Sequence, residues 1–225
     1  MNKVLLWDFD GTLVYPNKSF NTALHTALFE HGYKVDADSV KELMLKSYSW
    51  HNPDDIYPNK KESLWWDTLY KKLEPFYKEN NVDISDYDKI NQTFKNILTS
   101  PDNYSLYDDT IAVLEECAKR GYANYVMSSN YPELPQVIKA LGISKYFKDF
   151  FVSSLIGYDK PRREIFEHAL KTAGNPDVCY MIGDNPIADM KGAKACGIKT
   201  VYVHKSGCDD ADFEFKTLTE VLNIL

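Results

Sequence analysis

The chain opens on an apolar run, Val4 to Trp7, that ends at Asp8 and runs into Gly11, the pattern of a buried strand leading into a loop. Apolar positions at Phe20, Ala23, Leu24, Ala27 and Leu28, spaced three and four apart, then predict a helix stopped by Gly32. From about Val35 to Thr99 the helical spacing continues (Val40–Met44, Leu64–Leu73, Ile90–Leu98) with no strand-like run of β-branched residues. A polar stretch from Trp50-His51-Asn52-Pro53 to Pro58-Asn59-Lys60-Lys61 interrupts it. This block reads as an all-helical insert.

After Pro101 the pattern alternates. Predicted helices Asp109–Arg120, Leu134–Leu141, Arg162–Ala173 and Met190–Cys196 each end at a glycine. Each leads to a short apolar strand: Tyr125–Ser128, Phe150–Ser153, Val178–Ile182 and Thr200–His204. Helices closed by glycine and followed by such strands indicate a parallel α/β sheet. A last helix is expected over Lys216 to Ile224. The first strand and everything from about residue 101 onward therefore belong to one sheet, interrupted by the helical block.

Composition narrows the partners. The 225 residues are 44% hydrophobic and 26% charged, with a formal net charge of −7. These are ordinary soluble globular values. The acidic balance argues against a broad nucleic-acid-binding face, while a local pocket can still be positive for a small anion. No apolar run reaches the roughly 18 to 20 residues of a membrane span, and the N-terminus lacks a secretory pattern. The four cysteines are widely spaced with no CxxC pair, so a reducing cytoplasm is the expected compartment. Monomer and homodimer stay equally open. The 16 tyrosines are assigned to packing rather than to a pocket.

Candidate chemistry gathers where the strands end, the place at which ligands bind open parallel sheets. Asp8 and Asp10 stand two apart past the first strand, with Gly11 permitting a tight turn. Ser129 and Asn130 follow the strand in YVMSSN, where a hydroxyl and an amide could hold phosphate oxygens. Lys160 precedes Pro161, which suits a first helical turn. A lysine there opposes the helix dipole unless an anion sits between them. In YMIGDNPIADMKGAKACG, Asp184 and Asp189 lie near a helix start. Capping by Asp184 or Asn185 explains one acid but not two. Hard oxygen ligands of this kind suit Mg²⁺.

The ordered set DFDGTLV, Ser129-Asn130, Lys160-Pro161 and GDNPIAD resembles the four signature motifs of the haloacid dehalogenase (HAD) superfamily. The resemblance implies a Rossmann-like catalytic core, residues 1–14 plus 101–225, with an all-helical cap over residues 15–100. It implies Asp8 as a nucleophile forming an aspartyl phosphate and Asp10 as general acid and then base. Ser129, Asn130 and Lys160 would bind the phosphoryl group. Mg²⁺ would be held by Asp8, Asp10 (through its main-chain carbonyl), Asp184 and Asp189, the last either directly or by orienting the site.

Dehalogenating members lack the second aspartate of the first motif, so Asp10 favours phosphate chemistry. The expected activity is Mg²⁺-dependent hydrolysis of a small phosphorylated metabolite. A sugar-phosphate mutase, or a catalytically weak protein binding partners through the aromatic insert, are the alternatives. Within the insert, Trp50, His51, Trp65 and Trp66 stand out, and Trp65 and Trp66 cannot share one helix face. The substrate is not named by these residues.

Overall fold

The computed structural model describes residues 1–47, 52 and 62–225. Six parallel strands form one sheet in the order β5-β4-β1-β6-β7-β8. They are β1 (Lys3–Trp7), β4 (Tyr122–Ser128), β5 (Phe150–Val152), β6 (Val178–Gly183), β7 (Lys199–Val203) and β8 (Phe213–Phe215). The predicted α/β class is thus the observed one. Side chains alternate across β1. Val4 and Leu6 pack into one hydrophobic cluster, Leu5 and Trp7 into the other. A strand buried on both faces reads as a continuous apolar run, as this one does.

The chain moves from β1 to β4 and β5 on one side, then crosses to β6, β7 and β8 on the other. β1 is therefore the point where the winding reverses, and a crevice opens beyond its carboxyl end. The helices α5 (Thr110–Lys119), α6 (Leu134–Ala140) and α8 (Arg163–Thr172) connect the strands, with a short α7 (Ser153–Ile156) after β5.

Among the described residues, four α-helices fall between positions 17 and 103: α1 (Phe20–Glu30), α2 (Ala37–Ser47), α3 (Glu62–Glu79) and α4 (Tyr87–Thr99). A feature absent from the sequence reading frames them. Residues Val14–Pro16 (β2) and Tyr104–Leu106 (β3) pair antiparallel, so the chain entering the helical block is zipped to the chain leaving it. Asn103 fastens the stem, its Oδ1 accepting from Lys18 N at 2.8 Å and its Nδ2 donating to Lys18 O at 2.9 Å. Three-residue strands carrying a proline are too short for a period-two signal. Trp50 and His51 lie outside the described residues.

Two expectations at the C-terminal end are corrected. The Lys216–Ile224 helix is instead a 3₁₀ helix over Thr219–Ile224, and the segment just before it forms the unpredicted strand β8. Glu220 Oε2 accepts from Lys216 N and Thr217 N, and Asp109 Oδ2 from Thr219 N, so local side-chain bonds replace the first α-helical turn. The predicted Met190–Cys196 helix starts earlier and wider. Residues Pro186–Lys191 form a π-helical turn, in which Met190 N donates to Asn185 O, before the short α9 (Gly192–Lys194).

Strand β4 starts earlier than its apolar run because it contains Asn124, 1% exposed. Its Oδ1 accepts from Trp7 Nε1 at 3.0 Å, and its Nδ2 donates to Leu114 O at 3.2 Å. Asn124→Ala strands the buried indole N–H and should cost about 2–3 kcal/mol in urea unfolding.

Candidate active site

Asp8 follows β1 directly, and its N–H donates to Ile182 O at 2.9 Å, which extends the β1–β6 pairing to Asp8 itself. Asp184 follows β6, Ser129 follows β4, and Lys160 arrives from the loop after α7. All four converge beyond the carboxyl ends of the central strands, as do Asp10 and Asp189.

Lys160 is the electrostatic centre. The residue is 2% exposed, and its ammonium donates to Asp8 Oδ1 at 2.7 Å, to Asp189 Oδ1 at 2.5 Å and to Met127 O at 3.0 Å. Burial alone would lower its pKa, but Asp189 and Asp8 outweigh that and raise it, so it stays charged. Its main-chain N–H donates to Ser129 Oγ at 2.9 Å. The expected placement in a first helical turn is corrected. α8 begins only at Arg163, and the side chain points into the cluster of acids rather than toward the helix end. Paired carboxylates, not a helix dipole, fix its position.

The acids are held up in pKa by their surroundings. Burial raises Asp10 to about 7, with the charge of Asp8 adding to it and the Asn130 hydrogen bond opposing. Burial likewise raises Asp189 to about 7, helped by Asp8 and opposed by Lys160. Asp8 is raised by burial against the pull of Lys160. Carboxylates this close repel one another, and a cation is what relieves them.

Asp8, Asp184 and Asp189 each offer an oxygen, and these lie within 4.8 Å of one another. Three hard oxygen donors with excess negative charge fit a hard divalent cation. The Asp10 carboxylate stands apart from this set: its Oδ2 accepts from Asn130 Nδ2 at 2.6 Å.

Asn130 is therefore placed differently from its expected role on phosphate. It is 1% exposed and does not line the cavity. Its Nδ2 serves Asp10, its Oδ1 accepts from Tyr131 N at 2.9 Å, and its N–H donates to Ser153 Oγ at 3.1 Å. An amide carries both donor and acceptor, and here both are spent within the protein.

Two glycines permit the close approach. A Cβ on Gly183 would collide with the Asp189 carboxylate, and one on Gly11, whose φ is +81°, with that of Asp184. The capping alternative resolves in favour of Asn185, whose Oδ1 accepts from Ile187 N at 3.0 Å and Ala188 N at 2.9 Å. The π turn that follows carries Asp189 inward to 0% exposure, with its Oδ2 accepting from Asn185 N at 3.0 Å.

Lys205 escaped the sequence reading. It sits just past β7 and donates to Asp184 Oδ2 at 2.6 Å. The strand-end position that singled out the acids applies equally to this lysine.

A cavity of about 280 Å³ opens from this cluster toward the helical block. Its inner end holds Asp8, Asp10, Ser129, Lys160, Asp184 and Asp189. Its outer part is lined by residues of the block, including Phe20, Trp65 and Leu69, with Lys18 and Lys72 adding positive charge. Trp66, by contrast, is buried and stacks on Tyr131 at 5.7 Å, so the two tryptophans do part company. Among the described residues no helix is long and apolar enough to cross a membrane.

Known proteins share this arrangement. A family model described as haloacid dehalogenase-like hydrolase matches residues 2–197. The Bos taurus haloacid dehalogenase-like hydrolase domain-containing protein 3 is 26% identical over a 208-position alignment that covers 89% of this chain and 81% of that protein. The glyceraldehyde 3-phosphate phosphatase of Pyrococcus furiosus is 26% identical over a 219-position alignment that covers 95% of this chain and 85% of that one. The magnesium-bound structure of YfnB from Bacillus subtilis has the same fold, with a TM-score of 0.77 at 18% identity over 100% of this chain and 98% of its own. The chain belongs to the haloacid dehalogenase-like hydrolases.

Proposed function

We propose that this hydrolase is a Mg²⁺-dependent phosphatase that cleaves a small phosphorylated metabolite through a phosphorylated Asp8. The reading rests on one observation above the others: the Asp8 carboxylate faces the cavity in contact with a buried, charged lysine, two residues from a second acid with a pKa of about 7.

In the first step an oxygen of Asp8 attacks phosphorus and the bond to the alcohol oxygen breaks. Asp10 donates its proton to that oxygen, which leaves as the alcohol. In the second step Asp10 takes a proton from water, the water oxygen attacks phosphorus, and the bond to Asp8 breaks to release phosphate. A group that donates and then accepts a proton works best with a pKa near the operating pH. Asn130 holds Asp10 in line for both transfers. Lys160 neutralises charge on the transferring phosphoryl group, and the Ser129 hydroxyl contributes a hydrogen bond to it.

Asp8, Asp184 and Asp189, with the main-chain carbonyl of Asp10, would hold Mg²⁺. When bound, the ion offsets the repulsion between an anionic nucleophile and a phosphate dianion. Lys18 and Lys72 give the cavity mouth a positive field on an otherwise acidic protein, which draws phosphate in. The helical block, residues 15–100, acts as a cap that covers the cavity and contacts the alcohol.

Asp8→Asn should cut Mg²⁺-dependent release of phosphate by at least about a thousandfold. Asp10→Asn should cut it by about 10² to 10⁴-fold. Both variants should keep their far-UV circular dichroism. Chelation with EDTA should abolish turnover, and added Mg²⁺ should restore it.

The raised acids also predict a pH signature. A folded-state pKa above the ordinary carboxylate value means the folded protein keeps its proton longer than the unfolded chain. The stability from such a group is complete below about pH 4 and is lost as pH rises toward 7. In EDTA, urea unfolding should therefore show stability falling between about pH 4 and about pH 7 and levelling off above that. The fall should be shallower in Asp10→Asn.

A further inference from the structure

The outer part of the cavity is unlike its inner end. Phe20, Trp65 and Leu69 are each only partly buried, and the area they leave uncovered lines this space. Trp65 and Leu69 are four apart on α3 and so share a face. Large apolar surface left facing an open cavity is unfavourable until a ligand covers it.

The wall is rigidly mounted. Trp65 meets Trp66 edge-on at 4.8 Å and Tyr131 edge-on at 6.4 Å. Trp66 is in turn stacked on Tyr131, and its Nε1 donates to Glu133 Oε2 at 2.9 Å. The indole of Trp65 is thereby fixed to the sheet-bearing core, with little freedom left to lose when a ligand packs on it.

The hydroxyls beside this wall are already engaged. Ser47 Oγ donates to Leu43 O at 2.8 Å, Thr68 Oγ1 to Leu64 O at 2.7 Å, and Ser19 Oγ to Asn21 Oδ1 at 2.6 Å. A polyhydroxylated alcohol would lose its hydration here and find few hydroxyl donors in exchange. A flat ring would cover the aromatic and aliphatic surface without that loss. The volume, about 280 Å³, sits at the small end of ligand pockets, which suits a single ring and a phosphate.

Building on the phosphatase reading, we propose that the substrate is a compact phosphomonoester whose alcohol carries one flat, largely apolar ring that packs against Trp65 and Leu69. The phosphate goes to Asp8 and Lys160, and the ring lies along α3.

The test compares two phosphates of primary alcohols, benzyl phosphate and glycerol 1-phosphate, on the full-length protein with Mg²⁺, and uses acetyl phosphate as a probe with no ring. The expected kcat/KM for benzyl phosphate exceeds that for glycerol 1-phosphate by at least about tenfold, mainly through KM. Trp65→Ala should bring that ratio to about one, and Trp65→Phe should keep most of it. Leu69→Asn should lower the same ratio, and provides the readout if Trp65→Ala does not fold. A wild-type ratio of one or less, or variants that lower both esters equally, overturns the ring assignment. Turnover of acetyl phosphate with neither ester also overturns it and leaves the phosphatase reading standing. Turnover of none of the three overturns both.

Discussion

The contact between the Lys160 ammonium and the carboxylates of Asp8 and Asp189 is almost fully withdrawn from the surface: the three residues are 2%, 7% and 0% exposed. Removing the lysine would leave two buried carboxylates uncompensated, which is far costlier than the paired cluster itself. The strand ends of β1 and β6 must therefore meet in register, and the loop after α7 must reach across β4 to deliver the lysine. The π turn has to carry Asp189 inward, and Gly183 has to leave it space. One lysine facing several acids also leaves the cluster over-charged. The same imbalance holds the acids at raised pKa and suits the site to a divalent cation and to phosphate.

A second constraint ties the helical block to this chemistry. β2 and β3 form a stem where the block joins the sheet, and Trp66, Tyr131 and Glu133 fasten its far side. Asn130 and Tyr131 are adjacent in the chain. The first holds Asp10, and the second supports the tryptophans of α3. The loop after β4 thus sets both Asp10, to which the proposed mechanism gives proton transfer, and the wall against which a substrate would pack. A side-chain displacement at this loop would be felt on both sides of the cavity.

The sheet strands and most of the helices were legible because each is a local matter. A strand buried on both faces must be apolar throughout, and a helix closed by glycine announces its end. The acids and the lysine were legible for a related reason: polar residues directly after apolar strands stand at the one edge of a parallel sheet where ligands collect. Lys205 obeys the same rule and could have been found by it. The stem, β8 and the π turn were not legible, since three-residue strands carry no periodicity and a wide turn depends on which carbonyl an N–H reaches.

By itself, then, the amino-acid sequence determined the α/β class, the helical block between the first strand and the rest, and the inventory of Asp8, Asp10, Ser129, Lys160, Asp184 and Asp189. Tertiary structure alone decided their pairings. Asn130 turned from phosphate to Asp10, Asp189 came into contact with Lys160, Lys205 joined Asp184, and Trp65 faced the cavity while its neighbour was buried. Hydrophobic periodicity is a property of neighbouring residues and survives in one dimension. Hydrogen-bond partners 29 or 120 positions apart are chosen only when the sheet brings their strand ends together.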